Sequence, residues 1–236
     1  MYETICCNCL KDTGGQDPCI ECGKTPFFQN DPSALQPRTI LNGQYFVGKT
    51  LGSGGFGITY LSLDINLKMR VAIKEFLPKS IAGRSRNRMT VQANTNEYAE
   101  HYELGLSKFL EEARTLAKFR HPSIISVSAF FKENNTAYFV MPYIPGKTLE
   151  AYITEQQGIS EHELLRIISP VLDGLEKIHE SHILHRDIKP ANIYVPNEGV
   201  PLLLDFGAAR QSMMDDNQAL SVFLTYGYAP FEQYQS

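Results

Sequence analysis

Beyond Cys22 the chain has no cysteine, although five stand near its start: Cys6, Cys7, Cys9, Cys19 and Cys22. A disulfide framework through the body is thereby excluded, and a reducing compartment is expected. No apolar run is long enough to span a bilayer and no secretory leader opens the chain. A membrane segment is therefore not expected, and the expected location is cytoplasmic. Basic residues are not in excess either: the net charge is −4 and the pI about 5.9. That balance argues against duplex nucleic acid as a partner. Internal repeats and low-complexity tracts are absent. What is there, 236 residues of which 43% are hydrophobic and 20% charged, suffices for one sizeable core and a small module.

Three zones follow one another. Residues 1–24 hold the cysteines. Residues 25–44 read as a linker, with Pro26, Pro32 and Pro37 among polar residues and a turn at Asn42-Gly43. From residue 45 to 236 the pattern is that of one large domain. Strands are expected over 47–51, 58–63, 69–76, 124–131, 137–141, 193–195 and 202–204, and helices over 106–119 and 164–179.

Cys6-x-x-Cys9 and Cys19-x-x-Cys22 are two knuckles, each aiming two thiolates at one point. Together they supply four soft ligands, the set that structural zinc accepts, with no open position for catalysis. The enclosed segment is too short for an apolar core, so the metal would carry most of its stability. Cys7 is spare, although it and Cys6 could exchange roles.

Gly52-Ser53-Gly54-Gly55-Phe56-Gly57 joins two expected strands, and Val71-Ala72-Ile73-Lys74 lies on the next. A dinucleotide-binding fold would place a helix directly after the glycines, so its reading of this string is disfavoured. A lysine on the buried side of a strand needs an anionic partner. Phosphates qualify, as does a carboxylate of the following helix: Glu112 on its inward face, or Glu111. His185-Arg186-Asp187-Ile188-Lys189-Pro190-Ala191-Asn192 is the most specific string, and Asp205-Phe206-Gly207 follows it. Asp187 can accept a hydrogen bond from an attacking hydroxyl. Lys189 can neutralise a transferred phosphoryl group, and Asn192 with Asp205 can hold Mg²⁺.

These motifs, in this order, resemble the eukaryotic-type (Hanks-type) protein kinases of bacteria from Tyr45 to the end of the chain. The resemblance implies an α+β, two-lobed protein kinase fold: an antiparallel sheet and one helix in the small lobe, a mainly helical large lobe, and ATP in the cleft. It implies nucleotide contacts from Leu51, Gly52, Gly54, Gly55, Phe56, Gly57, Thr59, Ala72 and Lys74. Met141 is then the gatekeeper, and Pro142 to Ile144 the hinge, with Tyr143 and Ile144 meeting adenine. Mg²⁺ or Mn²⁺ would sit on Asn192 and Asp205, and a protein Ser/Thr would be the substrate. Lys189 and Thr225 match the serine/threonine branch. Arg186 implies regulation by a phosphorylated activation loop, with Ser221 the first candidate site and Ser212 the second. A multidomain bacterial kinase also fits the cysteine module in front.

Four departures stand out. Thr59 replaces the usual valine, and Pro142 removes one hinge N–H. An insertion over about 78–100, carrying Arg84, Arg86 and Arg88, reads as a solvated loop or a docking site. Only four residues follow Ala229-Pro230-Phe231-Glu232, so the large lobe is expected to be truncated, or covered by a partner chain. The alternative function is then an ATP-binding or scaffolding fragment with weak or no catalysis.

Overall fold

Alternating branched and aromatic residues put 45–53, 57–64 and 69–76 into adjacent antiparallel strands. The computed structural model describes residues 2–25, 31–185, 187–205 and 228. The chain divides into two compact units: Met1–Leu106 with Ser128–Tyr143, and Ser107–Val127 with Ile144–Ser236.

The first unit contains β1 (Ile40–Leu41), β2 (Tyr45–Ser53), β3 (Gly57–Asp64), β4 (Met69–Phe76), β5 (Ala82–Arg84), β6 (Val91–Ala93), β7 (Ala129–Glu133) and β8 (Thr136–Pro142). Six of these form one antiparallel sheet in the order β1-β2-β3-β4-β8-β7. β5 and β6 pair as a separate hairpin inside the segment read as a solvated insertion. Phe46, Tyr60, Phe76, Tyr138 and Phe139 are fully buried, each worth about 1.5–3 kcal/mol of apolar burial. The span read as a linker contributes to this core, because Ala34, Leu35 and Leu41 are buried and β1 pairs with β2.

Helix α1 (Ala99–Leu116) follows the hairpin. Tyr102, Leu106, Phe109, Leu110, Ala113 and Leu116 form its buried face. The strand expected over 124–131 begins only at Ala129, since Ile124 instead bridges Leu203 in parallel.

The second unit contains β9 (Gly146–Thr148), α2 (Leu149–Gln156), α3 (Glu161–Glu180), β10 (Ile193–Pro196) and β11 (Leu202–Leu203). α3 starts at a side-chain N-cap: Ser160 Oγ accepts from the Glu163 N–H at 3.3 Å. Its buried stripe is Ile167, Val171, Leu175 and Ile178. β11-β10-β9 is a small sheet that frames the loop before β10. Among the described residues, no helix is long and apolar enough to cross a membrane.

Candidate active site

In the first unit, the register of the sheet gathers the residues expected around a nucleotide. Cross-strand partners share a face. Thr59 lies opposite Lys74, and Lys74 opposite Phe139. Leu61 lies opposite Ala72, and Ala72 opposite Met141. Thr59, Lys74, Ala72 and Met141 therefore stand on one face. Lys74 Nζ is 5.5 Å from the Phe139 ring centroid, a cation–π contact.

The turn between β2 and β3 is tied to the end of β4. Leu77 N–H donates to Phe56 O and Lys79 N–H to Gly55 O, both at 3.0 Å. The Lys79 ammonium donates to Ser53 Oγ at 2.9 Å and to Asp31 at 3.0 Å. Gly57 is dictated by packing, because a Cβ there would lie 2.1 Å from Glu75 O. Around Gly52, Gly54 and Gly55 a Cβ would meet nothing within 4 Å. Leu51 is exposed at the end of β2, and Phe56 is half-buried.

Next to Lys74, Glu75 is fully buried. Its carboxylate accepts from Tyr60 and Tyr138 hydroxyls, each at 2.8 Å, and from the Arg84 guanidinium. Arg84 also donates to Ser33 O at 2.6 Å and Met89 O at 2.8 Å. The insertion's first arginine is thus a buried clamp, while Arg86 and Arg88 are exposed. Burial pushes the Glu75 carboxyl above its ordinary value, against the pull of Arg84. Sequence reasoning missed this network, and nothing local in the sequence marks it.

In the second unit, the catalytic-loop string closes into a hydrogen-bonded cluster. Asn192 Nδ2 donates to Asp187 Oδ2 at 2.7 Å and to Asp187 O at 2.8 Å. Lys189 Nζ lies 3.2 Å from the same Oδ2. A single turn of 3-10 helix, Pro190–Asn192, makes this reach possible. Buried His185 Nε2 meets Leu204 O at 2.9 Å, an oxygen that only accepts, so Nε2 carries the proton. Its Nδ1 then accepts from Asp187 N–H at 3.4 Å. Leu204 N–H donates to Asn192 O at 2.8 Å, which holds the segment leading to Asp205 against the cluster. Asp205 itself is exposed. A carboxylate and an amide oxygen are the hard donors that Mg²⁺ takes.

The two candidate glutamates differ: Glu112 is buried, whereas Glu111 is exposed and pairs with Lys108 at 2.9 Å. Ile144 O accepts from the Tyr194 hydroxyl at 2.9 Å. Arg186, Phe206, Gly207, Ser212, Ser221, Thr225, Pro230 and Glu232 lie outside the described residues.

The Sγ atoms of Cys6, Cys9, Cys19 and Cys22 all lie within 4.8 Å of one another. Cys6–Cys22 and Cys9–Cys19 are 3.8 and 3.7 Å apart. With Zn–S bonds of about 2.3 Å, a regular tetrahedron has S–S edges of about 3.8 Å, so these residues fit the ion. The knuckles are alike: Leu10 N–H donates to Cys6 O and Gly23 N–H to Cys19 O, both at 2.8 Å.

The comparisons agree with this geometry. Residues 45–235 match the family model described as "Protein kinase domain". The chain is 34% identical over 205 residues to the serine/threonine-protein kinase PknA of Nostoc sp., covering 82% of this chain and 34% of that protein. It is 34% identical over 211 residues to serine/threonine-protein kinase F of Synechocystis sp., covering 82% of this chain and 40% of that protein. It thus spans well under half the length of these relatives. A solved structure described as the PpkA-294 apo form superposes with a TM-score of 0.79 at 34% identity, covering 86% of this chain and 72% of that one. The motif order, the sheet and loop that carry it, and these matches lead to one assignment: the chain belongs to the protein kinase domain family.

Proposed function

We propose that this chain is a serine/threonine protein kinase that transfers the γ-phosphate of ATP to Ser or Thr hydroxyls of proteins, its own included. The observation that carries the proposal is the Asp187–Lys189–Asn192 cluster, in which Lys189 and Asn192 both meet the Asp187 carboxylate. The serine/threonine branch is supported by Lys189 and by the similarity to two serine/threonine-protein kinases.

Asp187 accepts the hydrogen bond of the substrate hydroxyl and takes its proton as the hydroxyl oxygen bonds to the γ-phosphorus. The bond from that phosphorus to the β–γ bridging oxygen breaks, and ADP leaves with the electron pair. Lys189 stabilises negative charge on the group in transit. Asn192 and Asp205 would hold Mg²⁺ or Mn²⁺, which supplies charge neutralisation at the phosphates. Lys74 holds phosphate oxygens, and Glu112 is the second catalytic side chain assigned beside the loop residues. Leu51, Thr59, Ala72, Met141, Tyr143 and Ile144 enclose adenine, and the glycine turn covers the phosphates. Cys6, Cys9, Cys19 and Cys22 hold a structural Zn²⁺, a thiolate set suited to the reducing cytoplasm.

The test is phosphoamino-acid analysis of a generic protein substrate incubated with the chain and labelled Mg-ATP. Phosphoserine and phosphothreonine are expected. Phosphotyrosine alone, or no labelled amino acid, would refute the proposal.

A further inference from the structure

The first cysteine knuckle lies on the sheet of the first unit. Ile5, Cys7 and Leu10 share one buried cluster with Phe46 and Leu61, and Tyr143 packs against it. The Lys49 N–H donates to Cys7 O at 2.9 Å. This bond falls where β2–β3 pairing shifts register between Val47 and Thr50, so the irregularity turns a strand N–H towards the module. Gly48 is required there: a Cβ would lie 2.7 Å from Cys7 O and 2.8 Å from a Leu10 methyl. Arg38 donates to Tyr2 O and Glu3 O at 3.0 and 2.9 Å, fastening the chain ahead of the knuckle.

Leu10 is the informative residue. It occupies the same knuckle position as Gly23, and both have left-handed backbone, φ 62° and 68°. Glycine is the unstrained choice at such a position. The second knuckle uses glycine and faces solvent; the first carries a leucine that is buried in the shared cluster. The leucine's backbone strain is offset by its packing on the sheet.

That packing reaches the proposed adenine surface. Leu61 stands beside Ala72, and Ala72 beside Met141, on the same face. Tyr143, two residues beyond Met141, touches the cluster directly. β2 runs on from Gly48 and Lys49 to Leu51 and Gly52.

We propose that the cysteine module is a clip on the nucleotide-binding sheet, so that metal occupancy and ATP affinity are thermodynamically linked through Cys7, Leu10 and Tyr143. The inference rests on the zinc and adenine readings above. A metal-loaded knuckle presents Cys7 and Leu10 in one fixed arrangement, which holds β2 and Tyr143 in place for adenine. Release of the metal frees both. Linkage is reciprocal, so bound nucleotide must hold the metal more tightly by the same factor.

The test uses the full chain, its zinc content, and calorimetry with a non-hydrolysable ATP analogue and Mg²⁺. Leu10→Asn keeps a residue that tolerates left-handed backbone but removes the apolar contact. It is expected to retain zinc and to bind the analogue about tenfold more weakly, within the usual range of coupling between sites. Leu10→Met restores parent affinity. Chelating the zinc weakens the analogue by a similar factor, and saturating analogue raises zinc affinity to match. Parent affinity in a zinc-loaded Leu10→Asn chain, or after chelation, would overturn the linkage. A parent chain that purifies without zinc would overturn the metal reading. One that holds zinc but binds no analogue would overturn the adenine reading.

Discussion

Arg84→Met is the perturbation whose cost the structure specifies most closely. The Arg84 and Glu75 side chains are 2% and 0% exposed, so they form a buried ion pair. Methionine fills similar volume and leaves the Glu75 carboxylate with two tyrosine hydroxyls and no cation. Breaking one side of a buried pair costs about 3–5 kcal/mol. In a chain of this size each kcal/mol moves the melting point by about 2–4 °C, so a fall of about 6–20 °C is expected. The control is Arg86→Met, at an exposed position, expected within about 0.5 kcal/mol of the parent. Replacing both partners, Glu75→Leu with Arg84→Met, should recover most of the loss, because the uncompensated charge is gone. The pH dependence has a fixed sign. Burial already holds the folded Glu75 carboxyl above its ordinary 4.5, and removing Arg84 raises it further. A folded form that keeps a proton the unfolded chain has released loses stability as pH rises above that ordinary value. The Arg84→Met deficit should therefore be smaller near about pH 5 than near about pH 8. The assay is calorimetric or urea unfolding of the four proteins at both pH values. Arg84→Met melting with the parent, or the double variant melting no higher than the single, would refute the reasoning.

Two further substitutions test the candidate site. Gly57→Ala pushes a methyl against the Glu75 carbonyl, so β3 and β4 must separate; a loss of about 1–3 kcal/mol in urea unfolding is expected, against no more than about 0.5 for Gly54→Ala, which meets open space. Asn192→Leu removes both hydrogen bonds to Asp187 together with the oxygen proposed for Mg²⁺; kcat should fall by at least about 10²-fold, and an unchanged kcat would show that neither contribution is needed.

The clustering of Asp187, Lys189 and Asn192 was legible because they are neighbours in sequence and one turn of helix brings them together. Glu112 was legible from helical spacing: it falls on the face of Phe109, Ala113 and Leu116, and it is buried with them. The convergence of Cys6, Cys9, Cys19 and Cys22 was legible from two identical spacings. The clamp on Glu75 was not, because arginines in a polar insertion are ordinarily solvated; only the β5–β6 hairpin brings Arg84 to the sheet interior. Helix α2 was missed for its shortness, though Thr148 capping the Ala151 N–H at 3.2 Å was a usable signal. The docking of the knuckle was hidden for a different reason. Nothing in a CxxC spacing says which surface it lands on, and Gly48 and Leu10 acquire meaning only when seen against each other.

The most direct test of the account is single-turnover transfer of labelled γ-phosphate from Mg-ATP to a protein substrate, comparing the parent with Asp187→Asn. The substitution keeps the shape of the side chain and removes the carboxylate on which Lys189 and Asn192 converge. The account predicts labelled substrate from the parent and loss of about 10²–10⁴ in rate from the variant, the usual contribution of a positioned proton acceptor. Equal rates from the two proteins would contradict it.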